Sequence, residues 1–168
     1  MKNSEKRTAI YAGTFDPITY GHIDVLNRAR KIFDHIIIGV SARPKKTLFS
    51  HVERVRIVRA LFAGDKTIQV VGFSSLLIDF AHKCRVKTII RGIRAVSDFD
   101  YELQLTLMNR KLAPDIEIVF LMPSEKFIFI SSSLAKEIAM LGGDISHLVP
   151  DLVAHALKKK LPRKRARG

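Results

Sequence analysis

The 168-residue sequence predicts a single doubly wound, Rossmann-like α/β domain with about five parallel strands flanked by helices. Three observations predict it. Short β-branched runs alternate with segments of helical spacing along nearly the whole chain. The run Ile36-Ile37-Ile38-Gly39-Val40 is continuously apolar, which suits a strand covered on both faces. Turn-forming residues separate the segments, and strand–helix–strand units of this kind close with right-handed crossovers.

The elements follow in order. Thr8 to Tyr11 is a short strand ending at Gly13. Ile23, Leu26, Ala29, Ile32 and Phe33 then recur at helical spacing. After the Ile36–Val40 strand, Ser50 and Glu53 form a capping box that opens a helix expected to bury Val52, Val55, Leu61 and Phe62. Ile68 to Val71 reads as a third strand, Leu76 to Cys84 as a helix and Thr88 to Ile90 as a fourth strand. A longer helix covers Asp98 to Leu112, and Ile116 to Met122 is the fifth strand. Ser131 or Ser132 caps a helix that stops at Gly142-Gly143, a pair suited to a left-handed cap. A last helix runs from about Pro150 to Lys160, with proline at its start. The domain is expected over 1–157, with a basic tail over 158–168.

Composition narrows the function classes. No stretch of about 18 apolar residues occurs, so no membrane partner is expected. The amino terminus is polar, and the single cysteine, Cys84, offers no internal disulfide; together they point to the cytoplasm. The net charge of +13 comes from 29 basic and 16 acidic residues, but seven of the basic ones lie in the last eleven positions. Without them the balance is 22 against 16, a net charge of +6, which suits a binder of small polyanions. Aromatics are only 8% with no tryptophan, and no RNP-like or zinc-knuckle motif appears, so nucleic acid is not the expected partner.

In a doubly wound sheet, ligands sit beyond the carboxyl ends of the strands. The loops there are Gly13–His22, Ser41–Lys46, Phe73–Ser75, Arg91–Ala95 and Pro123–Ser133, and they hold the unusual residues. Gly13-Thr14 permits close approach of backbone to a ligand, and Gly21-His22 opens a helix whose free N–H groups favour an anion. His22 there either binds phosphate or caps the helix. Arg91 and Arg94 flank Gly92 just past a strand, as bidentate phosphate recognition requires; the alternative pairs them with Asp98, Asp100 or Glu102. Ser131-Ser132-Ser133 supplies one cap and two further hydroxyls for phosphate.

The string Tyr11-Ala12-Gly13-Thr14-Phe15-Asp16-Pro17-Ile18-Thr19-Tyr20-Gly21-His22 resembles the signature of the nucleotidyltransferase superfamily, with its T/H-x-G-H element. The block from Arg91 to Glu102, the string Phe120-Leu121-Met122-Pro123-Ser124 and the string Ile130-Ser131-Ser132-Ser133 resemble the bacterial phosphopantetheine adenylyltransferases. The likeness extends from about Thr8 to about Leu157. It implies that Thr14 contacts both ATP and the acceptor phosphate, with Phe15 beside the nucleotide, and that His22 stabilises the five-coordinate phosphorus. It implies an acceptor-binding lysine, Lys45 or Lys46, with counting back from Phe49 favouring Lys45. Leu77 would line the pantetheine site and Arg91 would bind the acceptor. Gly92, Ile93, Arg94 and Glu102 would surround ATP, and Phe127, Ile128, Phe129, Ile130, Ser131, Ser132 and Ser133 would close over adenine and phosphates. Thr14, His22, Lys45 and Arg94 form the expected catalytic set.

The same likeness implies adenylyl transfer from ATP to 4′-phosphopantetheine, giving dephospho-coenzyme A and pyrophosphate. Mg²⁺ would arrive with ATP, with no metal ligands from the protein, and the assembly would be a homohexamer. Nicotinamide mononucleotide or another phosphate is the rival acceptor. A nucleic-acid-binding module is the rival outside the enzyme class.

Overall fold

The computed structural model describes residues 6–43, 46–94 and 96–161. The elements are β1 (Thr8–Gly13), α1 (Tyr20–Ala29), β2 (His35–Ser41), α2 (His51–Leu61), β3 (Ile68–Phe73) and α3 (Leu77–Lys83). They continue with β4 (Thr88–Gly92), α4 (Val96–Leu112), β5 (Glu117–Leu121), a 3₁₀ turn over Glu125–Phe127, α5 (Ser132–Met140) and α6 (Asp151–Lys160). The five strands form one parallel sheet in the order β3-β2-β1-β4-β5. The α/β reading of the sequence therefore holds, strand for strand.

Residues of β1 alternate between two cores, because successive side chains leave opposite faces of the sheet. Ala9 and Tyr11 join Ile36, Ile38 and Ile90 beneath Val25, Leu26 and Ala29 of α1, Ala135 of α5 and Val153 and Leu157 of α6. Ile10 and Ala12 join Ile37 and Ile89 beneath Ile78, Phe80 and Ala81 of α3. Helices thus cover both faces, and the fully buried Ile36–Val40 run follows from that. The chain travels outward from β1 through β2 to β3, then returns to place β4 on the other side of β1. Strand order reverses between β1 and β4.

Two sequence expectations about helix faces and ends are corrected. Helix α1 stops at Ala29, and the amides of Ile32 and Phe33 fold back onto the Ala29 carbonyl, leaving Ile32 42% exposed. On α2 the capping box forms as expected, with Ser50 Oγ accepting from the Glu53 amide and Glu53 accepting from the Ser50 amide. Val55, Leu61 and Phe62 are partly buried against the core as expected, but the fully buried residues are Arg54 and Val58, and Val52 is 65% exposed. On that side the Arg54 guanidinium meets three backbone carbonyls. At the end of α5, Leu141 closes the helix and Gly142 takes a φ of 81°, as the glycine pair suggested. Helix α4 starts two residues earlier than the Asp98 expected from sequence. Lys158, Lys159 and Lys160 form the last turn of α6, and residues 162–168 of the basic tail lie outside the described residues.

Val58→Ala should cost about 2 kcal/mol of stability through lost burial and an unfilled space, whereas Val52→Ala should stay within about 0.5 kcal/mol. Urea unfolding of the two variants checks this, and equal costs would mean that α2 presents a different face.

Candidate active site

A cleft of about 400 Å³ opens beyond the carboxyl ends of β1 and β4, where strand order reverses. A second chamber of about 280 Å³ adjoins it on the β2–β3 side and shares Ala12, Gly13, Thr14 and Arg91 with it. Thr14 and Arg91 therefore stand on the rim common to both.

His22 is the third residue of α1, and its capping role is seen directly. The Thr19 amide donates to His22 Nδ1 at 3.1 Å, closing a capping box in which histidine replaces the usual glutamate. An amide can only donate, so Nδ1 is unprotonated and the ring proton resides on Nε2. The Thr19 hydroxyl lies 2.9 Å from the same Nδ1. The cap thus fixes the tautomer and leaves an Nε2–H donor at the cleft. Burial, and then the neighbouring Arg94 cation, push the His22 pKa down to about 4, so the ring is neutral near pH 7. Phe15 packs edge-on against the ring at 5.2 Å and against Tyr11 at 5.5 Å, which restrains the imidazole from one side. Gly21 leaves room for the carbonyls of Phe127 and Ile130, which a Cβ there would meet at 3.3 and 3.4 Å.

The first and second loops are tied by buried charges that the sequence did not single out. Asp16, 5% exposed, accepts from the Leu48 and Phe49 amides at 2.9 Å each and from Lys136 Nζ at 2.8 Å. Burial alone would raise its pKa; the Lys136 bond and the two amides outweigh that and hold the carboxyl below its usual range. Arg54, 1% exposed, donates to the carbonyls of Thr14, Ser41 and Phe49. Its one local mark is a spacing of four from Val58, which by itself does not separate a buried arginine from a solvated one.

On the fourth loop, Arg91 meets Glu102 of α4 through two nitrogen–oxygen pairs, one at 2.8 Å from Nε, and its Nη1 donates to the Ala12 carbonyl at 3.0 Å. The pairing alternative for Arg91 thus holds, yet the pair sits at the cleft, where Glu102 sets the plane of the guanidinium. Arg94 reaches across to the Ile130 carbonyl at 3.3 Å. Ser131 caps α5 by accepting from the Leu134 amide at 3.0 Å. Ser132 is engaged as well, donating to the Pro17 carbonyl at 2.8 Å, so it is not free for phosphate as expected. Asp24 of α1 accepts from the Ser124 amide at 2.8 Å and fixes the start of the fifth loop.

The cleft gathers Thr14, Phe15, His22, Lys46, Arg91, Gly92, Arg94, Ile130, Ser131, Ser132 and Ser133 from four separate loops and their helix starts, with Glu102 from α4. Leu77 lines the adjoining chamber. Ile93 is buried beneath the fourth loop, at 8% exposure. Phe127, Ile128 and Phe129 are not among the lining residues; Phe127 packs by Tyr20, and Phe129 is 84% exposed. Lys45 and the side chain of Asp98 lie outside the described residues. Around the main cleft, Lys46, Arg91, Arg94 and Lys136 face two carboxylates, Asp16 and Glu102. The excess is positive, as a site for polyanions requires. Among the described residues no group of three His, Cys, Asp or Glu stands close enough to hold a metal ion, and no helix is long and apolar enough to cross a membrane.

Residues 10–138 match the family described as cytidylyltransferase-like, which is well over half of the chain and includes every loop around the cleft. The chain belongs to that family. A cytidylyltransferase-like protein transfers a nucleotidyl group from a nucleoside triphosphate, and the present chain is accordingly a nucleotidyltransferase. The cytidylyltransferase-like match ends within α5, before α6.

The pH dependence of His22 follows from its lowered pKa. Above about pH 6.5 the imidazole is neutral in the folded and unfolded chains alike. Below that value the unfolded chain takes up the proton first, so stability is lost as the pH falls toward 4. His22→Gln should flatten the loss of stability between about pH 6.5 and 4.5, measured as urea midpoints against the wild type. An identical decline in both proteins would show an unperturbed ring.

Proposed function

We propose that the nucleotidyl group is AMP, taken from ATP, and that the acceptor is the phosphate of 4′-phosphopantetheine. The products are dephospho-coenzyme A and pyrophosphate, and the lone Cys84 and the likeness in sequence favour a cytoplasmic setting. The observation that carries the reading is the pair of chambers meeting at Thr14 and Arg91. One chamber is lined by the starts of α1 and α5 with Arg91 and Arg94, which suits a triphosphate; the other combines Arg43 and Arg91 with Leu76 and Leu77, which suits an arm carrying both a phosphate and an apolar stretch.

An acceptor phosphate oxygen attacks the α-phosphorus in line, the bond from that phosphorus to the bridging oxygen breaks, and pyrophosphate leaves with the electron pair. The acceptor phosphate is largely dianionic near neutral pH, its second pKa being about 6, so no strong base is needed. Catalysis is positioning plus electrostatics. The Nε2–H of His22 donates to an α-phosphoryl oxygen as charge builds there. Arg91, held by Glu102, and a lysine of the second loop, Lys45 or Lys46, hold the acceptor phosphate. Arg94 and the amides before α5 take the outer phosphates, and the stretch from Ile130 to Ser133 borders the adenine.

Asp16 and Glu102 are saturated by their partners, so Mg²⁺ is expected to ride on the ATP phosphates and water. When bound it supplies charge neutralisation on the departing pyrophosphate. A homohexamer is the assembly implied by the sequence likeness. What supports self-association is α4, which leaves Phe99, Leu103, Leu105, Leu107, Met108 and Leu112 between 37% and 58% exposed.

Pyrophosphate release should require ATP together with 4′-phosphopantetheine, and should fall to background with CTP, with nicotinamide mononucleotide or with no acceptor. Release with another pair would reassign the substrates. His22→Ala should lower kcat by about 10²–10³-fold with ATP affinity changed only modestly, the scale of one lost transition-state donor. A loss confined to ATP affinity would make His22 a binding residue only. Light scattering should give a mass several times that of one chain, and Leu103→Glu with Leu107→Glu should reduce it; a monomeric wild type would remove the hexamer.

A further inference from the structure

We propose that Arg54, which lines neither chamber, is a positioning residue that sets the acceptor side of the site. The inference rests on the function proposed above. Three observations converge on it. One guanidinium holds both ends of the second loop: Nη1 donates to the Ser41 carbonyl at 2.7 Å, where β2 ends, and Nε to the Phe49 carbonyl at 3.3 Å, where α2 begins. The same Nη1 donates to the Thr14 carbonyl. That carbonyl belongs to the peptide entering Phe15, whose φ of 49° lies in the left-handed region.

A bulky residue keeps a left-handed backbone only where its surroundings over-determine it. Arg54 supplies one side of that constraint by fixing the preceding peptide plane. The Phe15 ring, restrained by Tyr11, supplies the other. The link extends to the rim, because the Thr14 hydroxyl donates to the Arg43 carbonyl at 3.4 Å, joining the first loop to the second. Asp16 closes the circuit by holding the Leu48 and Phe49 amides. Arg54 carries its charge at 1% exposure, where each of its three acceptors is a backbone carbonyl. Burial pulls the Arg54 pKa below its usual value, and the field of Asp16 offsets this only in part. Burying a cation this way is costly unless every donor is used, and a methionine or leucine would fill the same space. The placement is explained by what the guanidinium holds. The carbonyls it holds belong to the first and second loops, whereas Ser131 and Ser133 enter the cleft from the start of α5, so its influence is expected to fall more on the acceptor than on the outer phosphates of ATP.

The test uses the full chain with Arg54→Lys and Arg54→Met, reading kcat, the KM for 4′-phosphopantetheine and the Kd for ATP. Lysine keeps the charge but cannot reach three carbonyls. Arg54→Lys should raise the acceptor KM by about ten- to a hundredfold, the scale of a lost hydrogen bond from a charged group, with the ATP Kd within about threefold. Peptide-level hydrogen exchange should also rise over Thr47–Phe49 while β1 and β4 stay protected. A purely structural role would lower kcat through the fraction folded, leave both affinities alone and raise exchange throughout; that result overturns the proposal. So does failure of both variants to fold, which would make Arg54 a requirement of the fold itself. If the wild type shows no turnover with any acceptor, the proposed function fails, and the exchange experiment alone decides on Arg54.

Discussion

Strand β1 is hydrogen-bonded along both edges, to β2 over its whole length and to β4 through Ile10 and Tyr11, and the site hangs from its carboxyl end. A parallel strand so placed delivers its last residue to a fixed point in space. At that point the chain must leave the sheet, and the neighbouring connections run to opposite faces. The gap between them is the cleft. Glycine at position 13 and the left-handed turn at Phe15 carry the chain across the strand ends, and α1 begins with Gly21 and His22 lining the opening. Moving β1 by one residue would exchange the two cores and carry this loop with them.

The charges at the site are arranged in held pairs. Arg91 is locked by Glu102, Lys136 by Asp16, and His22 by its own helix cap. A cluster of unpaired cations would bind a triphosphate strongly, but the cations would repel one another and wander before it arrived. Pairing reduces the gross positive charge and fixes direction instead. Reorganisation at the moment of reaction is then small, which is where electrostatic catalysis gains most. The capping box at His22 is the clearest instance: a feature that stabilises a helix end by about 1 kcal/mol also selects the tautomer that leaves an Nε2–H donor at the cleft.

The fold was legible because its signal is repeated. Each strand is a separate β-branched run, and the glycine- and serine-bearing loops fall at the strand ends. The first loop, the arginines around Gly92 and the serines before α5 could be read for the same reason, since their residue types have little use elsewhere. Other parts of the site could not. Arg54 sits among Glu53, Arg56 and Arg59 and reads as one more solvated helix charge; only the three carbonyls that converge on it, from distant positions, explain its burial. Lys136 likewise reads as a surface lysine until Asp16 arrives from 120 residues away. Val52, on the opposite side of the same helix from Arg54, is left exposed while Val55 and Val58 pack inward.

The rim shared by the two chambers has a further consequence. Thr14 and Arg91 form a common wall, and the linings are otherwise separate apart from Ala12 and Gly13. Each chamber can therefore fill without the other being occupied. A single molecule spanning the rim would gain from tethering, because its second half would face an effective concentration in the millimolar range or above rather than that of bulk solution. The length of such a tether is set by two residues of the protein. Its stiffness, more than any added contact, would govern how much of that advantage survives.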